Sequence, residues 1–185
     1  IQTIGRFIFL ILVIFAADQL SKFYVINVYN IDVSNLSSQY LTSINKYLNF
    51  HLIWNKGFAF GIFQNEISMV NYIYMFVMAI IAIAVFFYAI SINKKIYYYG
   101  FSLIIGGALG NLLDRYQYSA VLDFIDLHYN NYYWYVFNIA DISITLGCIL
   151  IILLELFSKK ENDKTIKNDT ELFNYIFFTN LCCLY

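Results

Sequence analysis

Two aspartates in apolar surroundings are the residues of this 185-residue chain best suited to chemistry. Asp123 lies in the sequence Val-Leu-Asp-Phe-Ile-Asp, and Asp141 follows the sequence Phe-Asn-Ile-Ala. Two carboxylates held close together share one proton, because both cannot ionise cheaply. One of them can then activate water as a general base while the other, protonated, polarises a carbonyl group. The pair predicts hydrolysis of the aspartic protease kind, without a metal ion or cofactor.

Further polar residues fall within apolar segments, where ionisable groups are costly and mark functional sites. Asp18 and Lys22 are four residues apart, so they share a helix face and can pair. Asn111 and Arg115 have the same spacing, with Asp114 at the margin of their face. They follow two glycines, also four residues apart, that let another helix approach closely. A polar face at the end of such a helix predicts the wall of a site.

Several of these residues also have a plainer explanation. Asp18 and Lys22 can be a neutral buried pair, which rarely stabilises a fold outright. A carboxylate in the first turn of a helix, as at Asp141, favourably complements the helix dipole. Asp126, also in the apolar stretch, is interpreted as an acid at the protein surface. These alternatives remain open from the residues alone.

The elements that must position these side chains are membrane helices. The chain is 61% hydrophobic and 21% aromatic, with 12% charged residues and no proline. A soluble domain has about a quarter charged residues, so this composition excludes a water-soluble globule, a disordered chain and a disulfide scaffold. The net charge of −1 gives no reason to expect nucleic acid as a partner. We expect a monomer with membrane lipid around it.

Four segments are long and apolar enough to span a membrane, which takes about 20 residues per helix. They cover residues 7–26, 67–92, 96–113 and 137–157. A cleaved signal peptide is a weaker interpretation of the first segment, because no convincing cleavage site follows Ala17. We expect a four-helix membrane domain over 1–158, with outer loops at 27–66 and 116–136, and a charged cytoplasmic tail over 159–185.

Basic residues near the ends of these segments predict the orientation. An even number of spans places both termini on one side, and short flanks rich in Lys and Arg mark the cytoplasmic side. The basic residues on that side are Arg6, Lys94, Lys95, Lys159 and Lys160. Both termini are therefore predicted to be cytoplasmic, with the two long loops and the candidate acids facing outward.

The first outer loop contains a strand pattern. Residues 47–54, Tyr-Leu-Asn-Phe-His-Leu-Ile-Trp, alternate polar with apolar or aromatic side chains, and Gly57 and Gly61 follow. The predicted fold class is an all-α membrane protein with four transmembrane helices and a small β-sheet on the outer membrane face.

Five short motifs follow one another along the chain. They are Asp18-Gln-Leu-Ser-Lys22, Asn55-Lys-Gly-Phe-Ala-Phe-Gly61, Gly106-Gly-Ala-Leu-Gly-Asn-Leu-Leu-Asp-Arg115, Val121-Leu-Asp-Phe124 and Phe137-Asn-Ile-Ala-Asp141. Any one of them is weak, but in this order and at this spacing they resemble bacterial lipoprotein signal peptidase, also called signal peptidase II. The resemblance extends from about Gly5 to Phe157 and leaves out the tail.

The resemblance implies an intramembrane aspartyl endopeptidase of the bacterial inner membrane, with a β-sheet cradle and a short helix over its site. Such enzymes remove the signal peptide from prolipoproteins just before a cysteine that carries diacylglycerol. By this resemblance Asp123 and Asp141 form the catalytic dyad, and no metal or cofactor is implied. The remaining implied positions bind substrate, brace the structure or support the site: Asp18, Lys22, Asn55, Gly57, Asn111, Asp114, Arg115 and Asn138.

Two other classes of protein also place polar residues inside a membrane. A small transporter or proton-coupled channel uses intramembrane acids along its ion pathway. Transporter sites usually lie near the midplane between repeats, whereas these acids cluster at the outer helix ends and the two halves show no repeat. A structural subunit uses polar residues to join helices, but it has no need of two acids beyond the helix ends.

Overall fold

The structure is a computed structural model, and it describes residues 2–37, 40–57, 67–92, 94–129, 132–133 and 135–162. Long helices make up most of these residues. Their bounds are α1 Gln2–Val28, α2 Ile67–Ile92, α3 Tyr97–Tyr118 and α4 Ile139–Asn162. Residues 163–185 of the predicted tail and Gly61 of the second motif fall outside the described residues.

Three of the helices are long and apolar enough to cross a membrane. Their candidate spans are Thr3–Val28 in α1, Met69–Ile92 in α2 and Ile139–Ser158 in α4. The helix α3 is not among them. Its sequence contains four glycines together with Asn111, Asp114 and Arg115, which lower its mean hydropathy. This helix packs against each of the other three, so many of its polar and glycine positions face protein.

The helix ends differ from the sequence-based boundaries in α1, α3 and α4, and two of these differences bear on the candidate site. The third span was expected to end at 113, but α3 continues to Tyr118 and ends at Ser119, which has left-handed backbone angles and donates its N–H to the Arg115 carbonyl at 3.0 Å. Asp114 and Arg115 therefore lie within the helix. At the other boundary α4 begins at Ile139, two residues later than expected, because Asn138 caps it.

The sheet is antiparallel with its strands in the order β1-β2-β3-β4. The strands are β1 Tyr40–Asn45, β2 Leu48–Asn55, β3 Val121–Tyr129 and β4 Tyr132–Tyr133. The strand predicted over 47–54 is confirmed as β2. The sequence predicts an outer loop over 116–136 and does not predict the strand β3 within it. Its first four residues are all buried, so neither face shows the alternation that identifies a half-exposed strand.

One apolar cluster joins the helices and another joins the sheet to them. Phe7, Val85, Phe101 and Ile144 belong to the first cluster, which lies within the bundle. The second cluster contains Val25 of α1, Leu52 and Trp54 of β2, and Leu122 and Phe124 of β3. The sheet therefore packs on the end of the bundle where α1 and α3 finish and α4 begins.

The glycine pair Gly106 and Gly110 of α3 allows a close helix contact. A Cβ atom at Gly106 would lie 2.7 Å from Ile14 Cβ of α1, and one at Gly110 would overlap the Asp18 carboxylate. The predicted close approach of another helix is confirmed, and the partner is α1. Gly110 matters most for the site, because its missing side chain leaves the space that the Asp18 carboxylate occupies.

Candidate active site

The first turn of α4 fixes Asp141 by a reciprocal cap. Asn138 Oδ1 accepts the Asp141 backbone N–H at 3.0 Å, and Asp141 Oδ2 accepts the Asn138 backbone N–H at 3.2 Å. This is the arrangement of a capping box, with an Asn at the cap and an Asp three residues later. Asp141 therefore does stabilise the first turn of α4, as its position at a helix start predicted. It uses one carboxylate oxygen and leaves Oδ1 directed at another helix.

Asp123 reaches the same place from β3. The residue is buried, with 3% of its surface exposed. Asn138 Nδ2 donates to Asp123 Oδ1 at 2.7 Å, and Asn55 Nδ2, at the end of β2, donates to Asp123 Oδ2 at 3.0 Å. Asn138 therefore contacts both candidate acids, Asp141 through the cap and Asp123 through its side-chain amide. The two aspartates that the sequence predicted as a pair are brought to one site.

Asn111 of α3 links this site to a buried lysine. Its Nδ2 donates to Asp141 Oδ1 at 2.8 Å. Its Oδ1 accepts from Asn138 Nδ2 at 3.1 Å and from Lys22 Nζ at 3.1 Å. A buried amide that uses both ends in this way has a defined orientation, because rotation by 180° would lose these bonds.

Lys22 lies between two buried carboxylates. Its Nζ is 2.8 Å from Asp18 Oδ2 and 2.8 Å from Asp114 Oδ2. Asp18 Oδ1 also accepts the backbone N–H of Ala140 in α4 at 2.9 Å, and Asp114 Oδ2 accepts that of Leu122 at the start of β3 at 3.2 Å. The pairing of Asp18 with Lys22 that their spacing predicted is present. The three charges hold α1, α3, α4 and β3 together directly behind the two aspartates.

Gln19 belongs to this charged group but was not singled out in the sequence. Its Nε2 lies 3.0 Å from Asp18 Oδ2, 3.1 Å from Asp114 Oδ1 and 3.1 Å from the Gly110 carbonyl oxygen. The available signal was its position next to Asp18 in an otherwise apolar helix. A polar residue there needs a protein partner as much as the acid does.

Arg115 and Gly57 form a second part of the site, on the side of α2. The Arg115 guanidinium lies 5.0 Å from the centre of the Tyr74 ring, and Asn71 Nδ2 donates to the Arg115 carbonyl at 3.2 Å. The Tyr74 hydroxyl donates to the Gly57 carbonyl at 2.7 Å. Neither Tyr74 nor Asn71 was identified from the sequence.

The interpretation of Asp126 as a surface acid is wrong. The residue is 3% exposed, Asn49 Nδ2 donates to its Oδ2 at 3.1 Å, and His51 Nδ1 lies 3.8 Å from the same oxygen. Asn49 and Asp126 are cross-strand partners in β2 and β3, which explains their contact. Asp126 thus links β2 and β3. Its contacts with Asn49 and His51 do not involve Asp123 or Asp141.

The surroundings of Asp123 favour its protonated form. Burial and, next, the nearby charge of Asp141 raise the pKa of Asp123 to about 7, against the opposing effects of the Asn55 and Asn138 amides and the Lys22 cation. Asp123 can therefore hold a proton near neutral pH. Asp141 accepts two hydrogen bonds that suit an anion, from Asn111 Nδ2 and from the Asn138 backbone N–H. An acid that holds a proton next to one that is held as an anion is the arrangement that acid–base catalysis needs.

Comparison with known proteins identifies the family of the chain. The family model described as signal peptidase (SPase) II matches residues 10–157. The chain belongs to the signal peptidase II family. It is 43% identical over 157 residues to the lipoprotein signal peptidase of Pelagibacter ubique (strain HTCC1062), covering 84% of this chain and 91% of that one. It is 37% identical over 160 residues to that of Francisella tularensis subsp. novicida (strain U112), covering 85% and 95%.

Solved structures show the same fold. A bacterial membrane enzyme determined at 2.3 Å resolution has a TM-score of 0.68 and 30% identity, covering 90% of this chain and 96% of that one. Another, at 1.9 Å, has a TM-score of 0.67 and 30% identity, covering 82% and 92%. The resemblance read from the five motifs is confirmed. As a signal peptidase II with several apolar helices, the protein is an aspartic-type peptidase and a multi-pass inner-membrane protein.

For a signal peptidase II with this site, we expect the turnover number to fall as the pH rises through about 7, where Asp123 ionises. With its pKa raised to about 7, Asp123 holds its proton below that pH and loses it above, leaving two adjacent anions and no acid. The fall approaches tenfold per pH unit once the proton is lost. The measurement is kcat against pH in detergent micelles, and a flat profile up to pH 9 would contradict it. Asp126→Asn should keep the same profile.

Proposed function

We propose that this chain removes the signal peptide from diacylglyceryl-modified prolipoproteins, cleaving just before the lipidated cysteine, with Asp123 and Asp141 as its catalytic dyad. The observation that carries the assignment is the set of bonds made by Asn138. Its side-chain Nδ2 donates to Asp123, while its backbone N–H and its Oδ1 bond to Asp141, so one residue holds the two acids at one site. The substrate follows from the family, whose relatives are named lipoprotein signal peptidase.

The mechanism needs one proton shared between the two acids. Asp141, ionised and held by Asn111 and by the cap, accepts a proton from water while the water oxygen attacks the scissile carbonyl carbon. Asp123, protonated, gives its proton to the carbonyl oxygen, so that a neutral tetrahedral diol forms. Collapse of the diol breaks the C–N bond. The proton on Asp141 goes to the leaving amine, and one hydroxyl returns its proton to Asp123.

The remaining polar residues have supporting roles in this proposal. Asn111, Asn138 and Arg115 line the pocket and hold the substrate backbone or lipid headgroup. Asp18, Lys22 and Asp114 brace the helices behind the dyad, while Asn55 and Gly57 position Asp123 and the substrate. A signal peptide must be unwound locally before its scissile bond is accessible, and irregular backbone at membrane depth is tolerated only in a protein-lined polar cavity. The acyl chains can stay in lipid, where each buried CH₂ contributes about 0.8 kcal/mol.

The same proposal includes the arrangement in the membrane. We infer that α3 is a fourth transmembrane helix, that the sheet lies on the outer face and that both termini are cytoplasmic. Lys94 and Lys95 support this orientation, because they precede α3 and so lie at the end of the bundle away from Asp123. In this arrangement 1–158 form the peptidase domain and 159–185 a cytoplasmic tail, although α4 itself runs on to Asn162. The protein acts as a monomer.

Family membership favours the peptidase over a transporter or a structural subunit. The placement of the acids agrees, because Asp141 lies in the first turn of α4 and Asp123 in a strand of the sheet. A transporter site would be expected nearer the middle of the helices.

Cleavage of a defined substrate tests the proposed function. The purified chain in micelles should cleave a diacylglyceryl-modified prolipoprotein immediately before the modified cysteine, and the unmodified prolipoprotein should be cleaved at least about 10²-fold more slowly if acyl burial supplies binding. Mass spectrometry of both products locates the cut. EDTA should leave the rate unchanged, because the mechanism uses carboxylates alone.

Three results would count against it. Equal cleavage of modified and unmodified substrates would remove the lipid specificity. A cut elsewhere would change the assigned reaction. Loss of activity in EDTA with recovery on adding zinc would replace the aspartate mechanism with a metal-dependent one.

A further inference from the structure

A chain of hydrogen bonds runs from α2 to the proposed catalytic Asp123. The Tyr74 hydroxyl donates to the Gly57 carbonyl at 2.7 Å, and the Gly57 N–H donates to Asn55 Oδ1 at 2.8 Å. Asn55 Nδ2 then donates to Asp123 Oδ2 at 3.0 Å. The Asn55 amide, which donates to Asp123 Oδ2, is therefore itself oriented by the loop that follows it, and Tyr74 bonds to that loop.

Gly57 has a conformation that suits this connection. Its φ is +79°, a left-handed value that favours glycine. An added Cβ would lie 2.9 Å from a Tyr74 ring carbon and 3.2 Å from Arg115 Nη2. The bond from its N–H to Asn55 Oδ1 makes a local turn of the kind that Asn side chains form with the backbone two residues on. Gly57 is thus packed against both Tyr74 and Arg115.

The Tyr74 ring makes a separate contact with Arg115. The guanidinium carbon lies 5.0 Å from the ring centre, within the range of a cation–π interaction. Asn71, nearly one helical turn before Tyr74, donates to the Arg115 carbonyl at 3.2 Å. The outer end of α2 therefore holds both the backbone and the side chain of Arg115.

Tyr74 differs from the other tyrosine near the start of α2 in what its side chain contacts. Tyr72 is 69% exposed, whereas Tyr74 is 38% exposed and donates its hydroxyl to the Gly57 carbonyl. This bond to the loop that follows Asn55 indicates a role for Tyr74 in orienting that loop.

We propose that Tyr74 is a positioning residue for signal-peptide cleavage: its hydroxyl orients Asn55 on Asp123 through Gly57, and its ring holds Arg115 toward the substrate. The inference rests on the proposed function, because it assigns Tyr74 to the same site. The hydroxyl and the ring serve different steps. Loss of the hydroxyl affects the orientation of a catalytic acid, and loss of the ring affects a substrate-binding group.

Two variants separate these contributions. Tyr74→Phe keeps the ring and removes the hydroxyl, so kcat should fall about two- to tenfold, the effect of one net hydrogen bond, with KM changed less than about twofold. Tyr74→Leu also removes the ring, so KM should additionally rise about two- to fivefold as the cation–π contact with Arg115 is lost. The matched control Tyr72→Phe should leave both constants unchanged. Steady-state cleavage of the lipid-modified prolipoprotein in micelles measures all four proteins.

The outcomes distinguish a positioning role from a structural one. An unchanged kcat in Tyr74→Phe overturns the inference while leaving the proposed function intact. A fall in kcat that is explained by an equal loss of folded protein, measured by thermal unfolding in the same detergent, overturns it as well. If Tyr74→Leu does not fold, Tyr74→Phe alone decides. A wild-type chain that cleaves no prolipoprotein overturns the proposed function, and this inference falls with it.

Discussion

Replacing Asp123 with asparagine is expected to lower cleavage of a lipid-modified prolipoprotein by at least about 10³-fold. An amide has the shape of the acid but cannot donate a carboxyl proton to the scissile carbonyl. The fold should survive, because the pKa of about 7 means that Asp123 already holds a proton through much of the neutral range. A neutral amide therefore replaces a group that is often neutral, and no buried partner loses a counter-charge.

Asp141→Asn should cause a loss of the same size for a different reason. The amide cannot accept a proton from water, so the general base is absent. Its oxygen can still accept the Asn138 backbone N–H, which Asp141 Oδ2 accepts in the wild-type protein, so the first turn of α4 should form. The double variant should be no slower than either single one, because residues that act as a unit are not additive.

Asp126→Asn is the matched control for both variants. Asp126 is as buried as Asp123, at 3% exposure, and lies three residues further along β3. Its amide can still accept the bond from Asn49. Cleavage should remain within about threefold of wild type, the limit set by loss of one peripheral contact. Full activity in either dyad variant, or equal losses in all three, would contradict the assignment of Asp123 and Asp141.

Much of the site could be predicted because its residues lie in local patterns. Asp18 and Lys22 are one helical turn apart, so their contact follows from helix geometry alone. Asn138 and Asp141 form a cap within one turn for the same reason. The joining of Asp123 with Asp141 was predicted from their shared apolar setting and the membrane topology, and the structure connects them through Asn138.

The parts that were missed depend on long-range pairing. The strand β3 is buried on both faces at its start, which hides the alternation of a strand, and its pairing with β2 is what buries Asp126. Tyr74 lies in an apolar helix where a tyrosine looks like any interfacial aromatic residue. Its contact with Gly57 depends on where the loop after β2 passes, and no spacing within α2 reveals it.

Removing the Lys22 ammonium is expected to cause the largest loss of stability among single substitutions at the site. Lys22 is 3% exposed and its Nζ lies 2.8 Å from both Asp18 Oδ2 and Asp114 Oδ2. In Lys22→Met the apolar stem is kept, but two buried carboxylates lose their shared cation. Breaking a buried pair in this way costs about 3–5 kcal/mol, because it leaves an uncompensated charge. The midpoint of thermal unfolding in detergent should fall by about 10 °C or more.

The loss should come from charge imbalance and not from packing, and a second variant separates these causes. In the triple variant Lys22→Met, Asp18→Asn, Asp114→Asn the buried group has no charge, so part of the unfolding midpoint should be regained even though three native groups are gone. Lys95→Met, at an exposed position between α2 and α3, should leave the midpoint unchanged and control for the general effect of losing a cation. If Lys22→Met were as stable as wild type, the carboxylates behind the dyad would not be charged. Lys22 could then not stabilise the fold as the central cation that joins α1 and α3.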